Sequence, residues 1–464
     1  MKRIAQQIAG WWLLIFLAGC GSLPVMVPDM ALDKPRAIHL EGARGPLSAQ
    51  RSKAILDGLK SRSQETNVLD RHLALEEAIV GSPLVVGNKV TLLLDGMSTY
   101  DAMFAAIKDA KDHINMETYI IEDDEIGQKF AAALIEKQLE GVQVNLMYDS
   151  VGSLLTPREY FKHLTDKGIN VLEFNPINPI AVRKGWDVNQ RDHRKLLVVD
   201  GKVAFVGGIN ISSVYSSGSF RSRQKKKILM HEQDGPPWRD THLRMEGPVV
   251  AEFQKLFMES WAGQHGSPLA PKNYFPQLSN QGKEVVRAIG SSPDEPYGLN
   301  YATLISAINS AESQVYLTNA YFVPDPQMLT ALKDAVRRGV EVKLLLPGRS
   351  DSAMVSYASH SYYDELLRSG IKIYVMQDAL LHAKTALIDG VWSTVGSTNL
   401  DWRSFLYNQE IDAVVLGQDF GAKMRAVFEK DVAKSLPVTL EQWRQRSVFA
   451  RFKEMGARLW AHLL

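Results

Sequence analysis

His193, Lys195 and Asp200 in the stretch DHRKLLVVD, and His382, Lys384 and Asp389 in LHAKTALID, repeat one spacing, His-x-Lys-x4-Asp. An imidazole can attack phosphorus or move a proton near neutral pH, and a lysine ammonium beside it can neutralise phosphoryl oxygens. Two such sets meeting on one phosphodiester divide the work. One ring bonds to phosphorus while the other protonates the leaving alkoxide and then deprotonates the incoming hydroxyl. The motifs are nearly symmetric, so spacing alone does not say which ring attacks.

Each motif runs along an alternating apolar stretch, Leu196, Val198 and Val199 or Ala386, Leu387 and Ile388, that reads as a strand. The strand meets an Asp-Gly turn (Asp200-Gly201, Asp389-Gly390), and a second short strand leads to a small-residue corner, Gly207-Gly208-Ile209-Asn210 or Gly396-Ser397-Thr398-Asn399. Small residues let backbone approach an oxyanion, and Asn210, Ser397 and Asn399 can donate hydrogen bonds to phosphate. Aspartate is also a favoured turn residue, so Asp200 and Asp389 have a scaffold reading beside a catalytic one.

The elements that must carry these motifs are duplicated too. A helix-period stretch at Tyr100–Ala110 precedes a strand at His113–Ile121, a helix at Gly127–Leu139, a strand at Val142–Tyr148, a helix near Tyr160–Lys167 and a strand at Ile169–Phe174. The same order recurs at Ala302–Ala311, Val315–Val323, Gln327–Arg337, Val340–Leu346, Tyr362–Arg368 and Ile371–Met376, with Gly141, Gly168, Gly339 and Gly370 at matching helix ends. Strands alternating with helices predict an α/β fold with a largely parallel central sheet, here two duplicated α/β sandwich domains facing each other.

The chain of 464 residues has ample length for two cores, and its 45% hydrophobic and 23% charged content is that of an ordinary globular protein. A formal net charge of +1 gives no bulk attraction for nucleic acid or an anionic surface, so any such attraction is local. The only cysteine, Cys20, rules out a disulfide framework. It follows Leu17-Ala18-Gly19, an apolar run at Ile8–Ala18, and Lys2 and Arg3, the order of an export signal. With cysteine at the cleavage point it resembles a bacterial lipoprotein signal, which implies cleavage of residues 1–19 and acylation of Cys20. The alternative is an uncleaved inner-membrane anchor, but the run falls short of the about 20 residues a span requires. Residues 20–46 read as a proline-rich tether, and Leu47–Val80 as a helical segment packing on a first domain of 47–262. Residues 263–282 read as a linker, and 283–464 as the second domain.

Two surface features bear on the substrate. A polar insertion between Tyr215 and Trp238 carries Arg221, Arg223 and Lys225–Lys227. It reads equally as a solvated loop and as a contact for lipid phosphates or nucleic acid. At the C-terminus, Phe449, Phe452, Gly456, Leu459, Trp460 and Leu463 recur at helical spacing among Arg444, Arg446, Arg451, Lys453 and Arg458. This stripe either lies in a bilayer interface or docks on the second domain.

Together the paired motifs, WRDTHLRMEGP (Trp238–Pro248), NAYFVPD (Asn319–Asp325), LLLPGRSD (Leu344–Asp351) and LHAKTALIDGVWSTVGSTNLDWRS resemble the phospholipase D superfamily, and within it bacterial cardiolipin synthases, from about Val90 to the C-terminus. The resemblance implies phospholipase D-like domains with the active site at their interface. His193 would be the nucleophile forming a phosphohistidine and His382 the general acid and base. Lys195, Lys384, Asp200 and Asp389 would complete the catalytic set. It points to Asp240 as the orienting partner of His193 and to Glu410, with Asp412 as competitor, for His382. The implied enzyme is a phosphatidyltransferase that converts two phosphatidylglycerols to cardiolipin and glycerol, lipid-anchored on the exported face of the envelope. Alternatives are a phospholipase D releasing phosphatidic acid, and a secreted nuclease of the same superfamily, against which the net charge argues. Membrane phospholipid is the expected partner, with no nucleic acid and no protein partner implied. No cofactor or metal is called for: the other histidines, His242 among them, lack ligand spacing. Asp192 stands where relatives often carry an amide, and Gly208 where the second repeat has Ser397.

Overall fold

The computed structural model describes residues 38–61, 68–177, 187, 189–217, 237–295 and 298–463. Cys20 with its signal, and the basic insertion at 218–236, lie outside the described residues. The chain opens with a hairpin of β1 (Leu40–Gly42) and β2 (Gly45–Pro46), then α1 (Ala49–Ser61) and α2 (Leu73–Ile79). The first repeat follows as β3 (Leu84–Leu93), α3 (Gly96–Asp109), β4 (His113–Thr118), α4 (Glu125–Leu139), β5 (Gln143–Asp149), α5 (Arg158–Asp166) and β6 (Asn170–Phe174). Its motif occupies β7 (Arg191–Asp192), β8 (Lys195–Val199) and β9 (Val203–Gly207), before β10 (Trp238–Arg239), β11 (His242–Glu246) and α6 (Val250–Gly263).

The second repeat keeps that order. It runs β12 (Glu284–Ser291), α7 (Leu299–Ser310), β13 (Gln314–Asn319), α8 (Pro326–Arg337), β14 (Glu341–Pro347), α9 (Ala353–His360), α10 (Tyr363–Arg368) and β15 (Lys372–Met376). Then come β16 (Leu380–Leu381), β17 (Lys384–Ile388), β18 (Trp392–Gly396), α11 (Trp402–Leu406), β19 (Asn408–Leu416), α12 (Gln418–Val432), β20 (Ser435–Val438), α13 (Leu440–Arg444) and α14 (Val448–Leu459).

Local chemistry sets these boundaries. Asp95 begins α3 by accepting from Ser98 N at 2.7 Å, and Tyr100, Met103 and Ile107, three and four residues apart, bury one face of the helix. Asp124 and Asp325 cap α4 and α8 in the same way, the latter with proline at the first helical position. At the far ends Gly141 and Gly339 both take φ 91°, a left-handed conformation that costs glycine nothing.

The sheet is mixed, which corrects the expectation of a largely parallel one. In the first repeat β4, β5 and β6 are parallel, but β8, β9, β11 and β3 continue the sheet antiparallel. In the second, β13, β14 and β15 are parallel and β17, β18, β19 and β12 antiparallel. The reason is that each motif strand returns through a tight hairpin, and only antiparallel neighbours can be joined that way. Strand β3 pairs antiparallel with β12, so the sheets of the two repeats join edge to edge. Behind the join one apolar cluster draws on both repeats, with Phe253, Phe257 and Trp261 of α6 beside Val286, Ile411 and Val415.

Two further expectations change. The residues read as the end of a tether form β1 and β2, with β1 parallel to β3. The helical segment before Val80 packs on the second repeat: Leu56, Leu69 and Leu73 share a cluster with Tyr301, Ile308 and Trp392, and His72 Nδ1 lies 3.0 Å from Ser306 Oγ. Sequence adjacency favoured the first repeat, but the apolar surface left open beside α7 is the one this segment covers.

The structure commits both motif aspartates to the fold. Asp200 (φ 52°) and Asp389 (φ 50°) occupy the first corner of their hairpin turns. The carboxylate of Asp200 accepts from Lys111 N (2.9 Å), Asp112 N (2.8 Å) and His113 N (3.0 Å), and that of Asp389 from Glu312 N, Ser313 N and Gln314 N. Each therefore ties its hairpin to the start of β4 or β13. Asp200 stands five residues along an extended strand from Lys195, roughly 16 Å away. Replacing Asp200 with alanine removes a charged acceptor from three backbone donors and is expected to destabilise the protein by about 2 kcal/mol. A urea midpoint lowered accordingly, with the His193 ring signals by NMR unchanged from those of the native chain, is the expected result; an unchanged midpoint would contradict the scaffold role.

Candidate active site

Because β8 runs antiparallel to β4 with Lys195 opposite Thr118, and β17 antiparallel to β13 with Lys384 opposite Asn319, both motifs begin at the C-terminal ends of the parallel strands. Both histidines are buried, 7% and 5% exposed. Just before each one the chain crosses to the other repeat. Strand β7 pairs parallel with β19, and His193 N donates to Gln409 O at 2.9 Å. Strand β10 pairs parallel with β16, and His382 N donates to Arg239 O at 2.8 Å.

That crossing reverses the expected partners. His193 Nδ1 lies 3.0 and 3.1 Å from the Glu410 carboxylate oxygens, and His382 Nδ1 lies 2.7 Å from Asp240 Oδ2. The backbone bond at residue 409 sets the next residue, Glu410, beside His193, and the bond at residue 239 does the same for Asp240 and His382. Asp412 holds neither ring; its Oδ1 accepts weakly from Thr398 N at 3.4 Å. With Nδ1 engaged by a carboxylate, Nε2 of each ring is the nitrogen for chemistry.

The difference between Gly208 and Ser397 follows from the two carboxylates. A Cβ at Gly208 would collide with Asp240 Oδ1, whereas Ser397 Oγ donates to Glu410 Oε2 and accepts from Ile411 N at 2.9 Å. Asn210 is equally committed: its Oδ1 accepts from Ile120 N (3.2 Å) and its Nδ2 donates to Tyr215 Oη (3.0 Å). Of the three expected phosphate donors, Asn399 is the one whose side-chain oxygen is buried without a partner.

Each lysine turns back on its own motif. Lys195 Nζ donates to His193 O at 2.6 Å and Lys384 Nζ to His382 O at 2.5 Å. Burial, with Lys384 adding to it, pulls Lys195 down to about 7, and burial alone, against the nearby Asp240 and Glu410, pulls Lys384 down to about 8. The histidines are lowered too, first by burial and then by these lysines, which favours the neutral form of each ring. The carboxylates differ. Burial pushes Glu410 up to about 7 against the pull of Lys195. For Asp240 burial is outweighed by His382 and Lys384, and it stays below the usual range. A phosphodiester anion arriving here would favour the charged forms of both lysines, because it adds negative charge that works against the effect of burial.

Several residues of the site were not anticipated. Tyr119 meets the His193 ring edge-on at 4.9 Å, Trp238 lies 5.2 Å and Tyr215 5.8 Å from the His382 ring, and Tyr215 Oη stands 3.4 Å from His382 Nδ1. Tyr119 directly follows β4 and Tyr321 stands two residues beyond the equivalent strand β13, so the repeat does not align them. Behind His193, Arg194 donates to Glu410 O and to Ser291 O, both at 3.2 Å, binding the motif to β19 and β12. Burial and neighbouring Glu117 hold Asp192 well above the usual carboxylate range. A protonated Asp192 can donate a hydrogen bond, as the amide expected at that position would.

A family model described as "Cardiolipin synthase, PLD-like domain" matches residues 103–220 and 304–432, spanning both motif repeats. This chain belongs to that family. A cardiolipin synthase of Geobacillus sp. (strain WCH70) is 35% identical over 84% of this chain and 76% of its own length. One of Listeria monocytogenes serotype 4a (strain HCC23) is 34% identical over 83% and 77%. Among solved structures, the phosphatidylserine synthase of Haemophilus influenzae Rd KW20 superposes with a TM-score of 0.60 at 13% identity, covering 85% of this chain and all of that one, a likeness of fold. As a member of the cardiolipin synthase family with both motifs intact, the chain is a phosphatidyltransferase with a duplicated phospholipase D-like α/β fold.

Proposed function

We propose that this enzyme moves a phosphatidyl group from one phosphatidylglycerol to a hydroxyl of a second, giving cardiolipin and glycerol. The observation that carries the reading is the crossed pair of imidazoles, each with Nδ1 on a carboxylate and each followed by a buried lysine. His193 Nε2 attacks phosphorus as the bond to the glycerol oxygen breaks, and His382, which takes up a proton at Nε2 when the phosphodiester anion binds, gives that oxygen its proton. Phosphatidyl-His193 remains. His382 then takes the proton of the second lipid's hydroxyl, whose oxygen attacks phosphorus and releases His193. The charges of Lys195 and Lys384 offset those on the non-bridging oxygens, most strongly in the transition state. Burial of both rings favours a lipid hydroxyl over water as acceptor, which supports transfer over hydrolysis.

Incubation with phosphatidylglycerol as sole lipid is expected to yield cardiolipin and glycerol in equal amounts by mass spectrometry; phosphatidic acid without cardiolipin would replace transfer by hydrolysis. The sequence around Cys20 supports an exported lipoprotein on the envelope. Digestion of the same preparation is expected to give a diacylated N-terminal peptide beginning at Cys20, and an intact Met1 peptide would refute it. Among the described residues no helix is long and apolar enough to cross a membrane.

A further inference from the structure

Helix α14 packs on the second repeat by one face only. Glu454 and Ala457 are buried, as is Ala461 just beyond, and both Glu454 oxygens are taken by Arg446 at 3.0 and 2.6 Å. Lys453 Nζ reaches Tyr357 Oη and Arg458 Nη1 reaches Ser361 O, each at 3.4 Å, laying the helix along α9. The opposite face holds Phe449, Phe452, Met455, Leu459 and Trp460, all between 48% and 69% exposed. The stripe recognised in the sequence therefore does not dock on the second domain. A contiguous aromatic patch of this kind on an otherwise soluble surface marks a contact.

Charge says which contact. Residues 440–463 carry five cations, Arg444, Arg446, Arg451, Lys453 and Arg458, against Glu441 and Glu454. Arg451 and Lys453 have no carboxylate partner among the described residues. A second copy would bring the same positive helix, and the apolar run near the N-terminus is itself preceded by Lys2 and Arg3, so both would be repelled. An anionic bilayer suits both properties: aromatic and aliphatic side chains enter the acyl boundary while lysine and arginine stay at the headgroups.

We propose that α14 lies in the interface of an anionic phospholipid bilayer, apolar stripe inward, and holds the mouth of the site against its lipids. This rests on the phospholipid reading of the substrate. Position supports it: α9 follows the loop after β14, where Asp351 accepts from Tyr321 Oη at 2.7 Å, and the Tyr321 ring is 6.4 Å from that of His382. On the first-repeat rim, the loop after β5 leaves Leu154 and Leu155 exposed as well.

The test uses the full chain with Cys20→Ser and a bimane label at Phe452→Cys, or at Lys255→Cys on α6 as control. Vesicles of phosphatidylglycerol and phosphatidylcholine carry brominated acyl chains as quencher. Quenching is expected at position 452 and not at 255, weakening roughly tenfold in binding when phosphatidylglycerol is left out. Equal quenching at the two positions, or none at 452, overturns the proposal. So does a doubled mass by light scattering with the 452 label shielded from iodide before lipid is added, which would assign the face to a second copy. In the unlabelled chain Phe449→Ser with Trp460→Ser should lower turnover on vesicles ~tenfold and leave turnover of monomeric short-chain phosphatidylglycerol unchanged. Equal loss on both substrates counts against docking. If neither substrate turns over even in the native chain, the proposed reaction fails, and the quenching still decides whether the helix docks.

Discussion

His193→Ala and His382→Ala are each expected to lower cardiolipin formation by 3 orders of magnitude or more, roughly the cost of removing a nucleophile or its proton-transfer partner. The two losses differ in kind. A lipid phosphodiester with a nitrophenolate leaving group needs no proton to depart, so His382→Ala should still release nitrophenol in a single burst and accumulate phosphatidyl-His193. His193→Ala should do neither. A burst from His193→Ala and none from His382→Ala would exchange the roles of the rings. Residual cardiolipin synthesis near the native rate in either variant would end the two-histidine mechanism.

The crossed carboxylates give the second large effect. Asp240 lies in the first repeat yet holds His382, and Glu410 lies in the second yet holds His193. Asp240→Asn should therefore reproduce the loss of the acid: a fall of roughly 10²- to 10⁴-fold with phosphatidylglycerol, largely restored by the nitrophenyl substrate. Glu410→Gln should reproduce the loss of the nucleophile and gain little from the better leaving group. If the variants sorted by repeat instead, Asp240→Asn behaving like His193→Ala, the crossing would be wrong. The Glu410 effect is expected to be the smaller of the two. Burial already holds Glu410 near half-protonated at neutral pH, whereas His382 helps keep Asp240 ionised.

Much of this was legible in the sequence because it is local. The two His-x-Lys spacings, the Asp-Gly turns and the glycines ending α4 and α8 are decided within a few residues, and duplication let each repeat check the other. The partners of the histidines were not, because they join positions 217 and 142 residues apart across the repeats, and either acid could serve either ring until register was known. The motif aspartates misled for a related reason: they sit in the pattern with the catalytic residues, but an extended strand carries them to the other end of the sheet. The helical segment before Val80 was assigned to its neighbour in sequence, and nothing in its periodicity could say which repeat had apolar surface to spare. The Tyr119 and Tyr321 rings were out of reach, since they stand at different positions after the equivalent strands, and strand ends carry no periodic signal that would have singled them out.

The exchange of short strands between the repeats, β7 onto β19 and β10 onto β16, has a consequence for how such a chain can change over generations. Neither half owns a complete acid–base pair, so neither can be lost, specialised or replaced alone. A substitution that shifts the corner before Glu410 is felt first by a histidine encoded more than 200 positions earlier. Divergence between the halves is then expected to fall outside the exchanged strands, as it does where Gly208 makes room for Asp240 while Ser397 donates to Glu410.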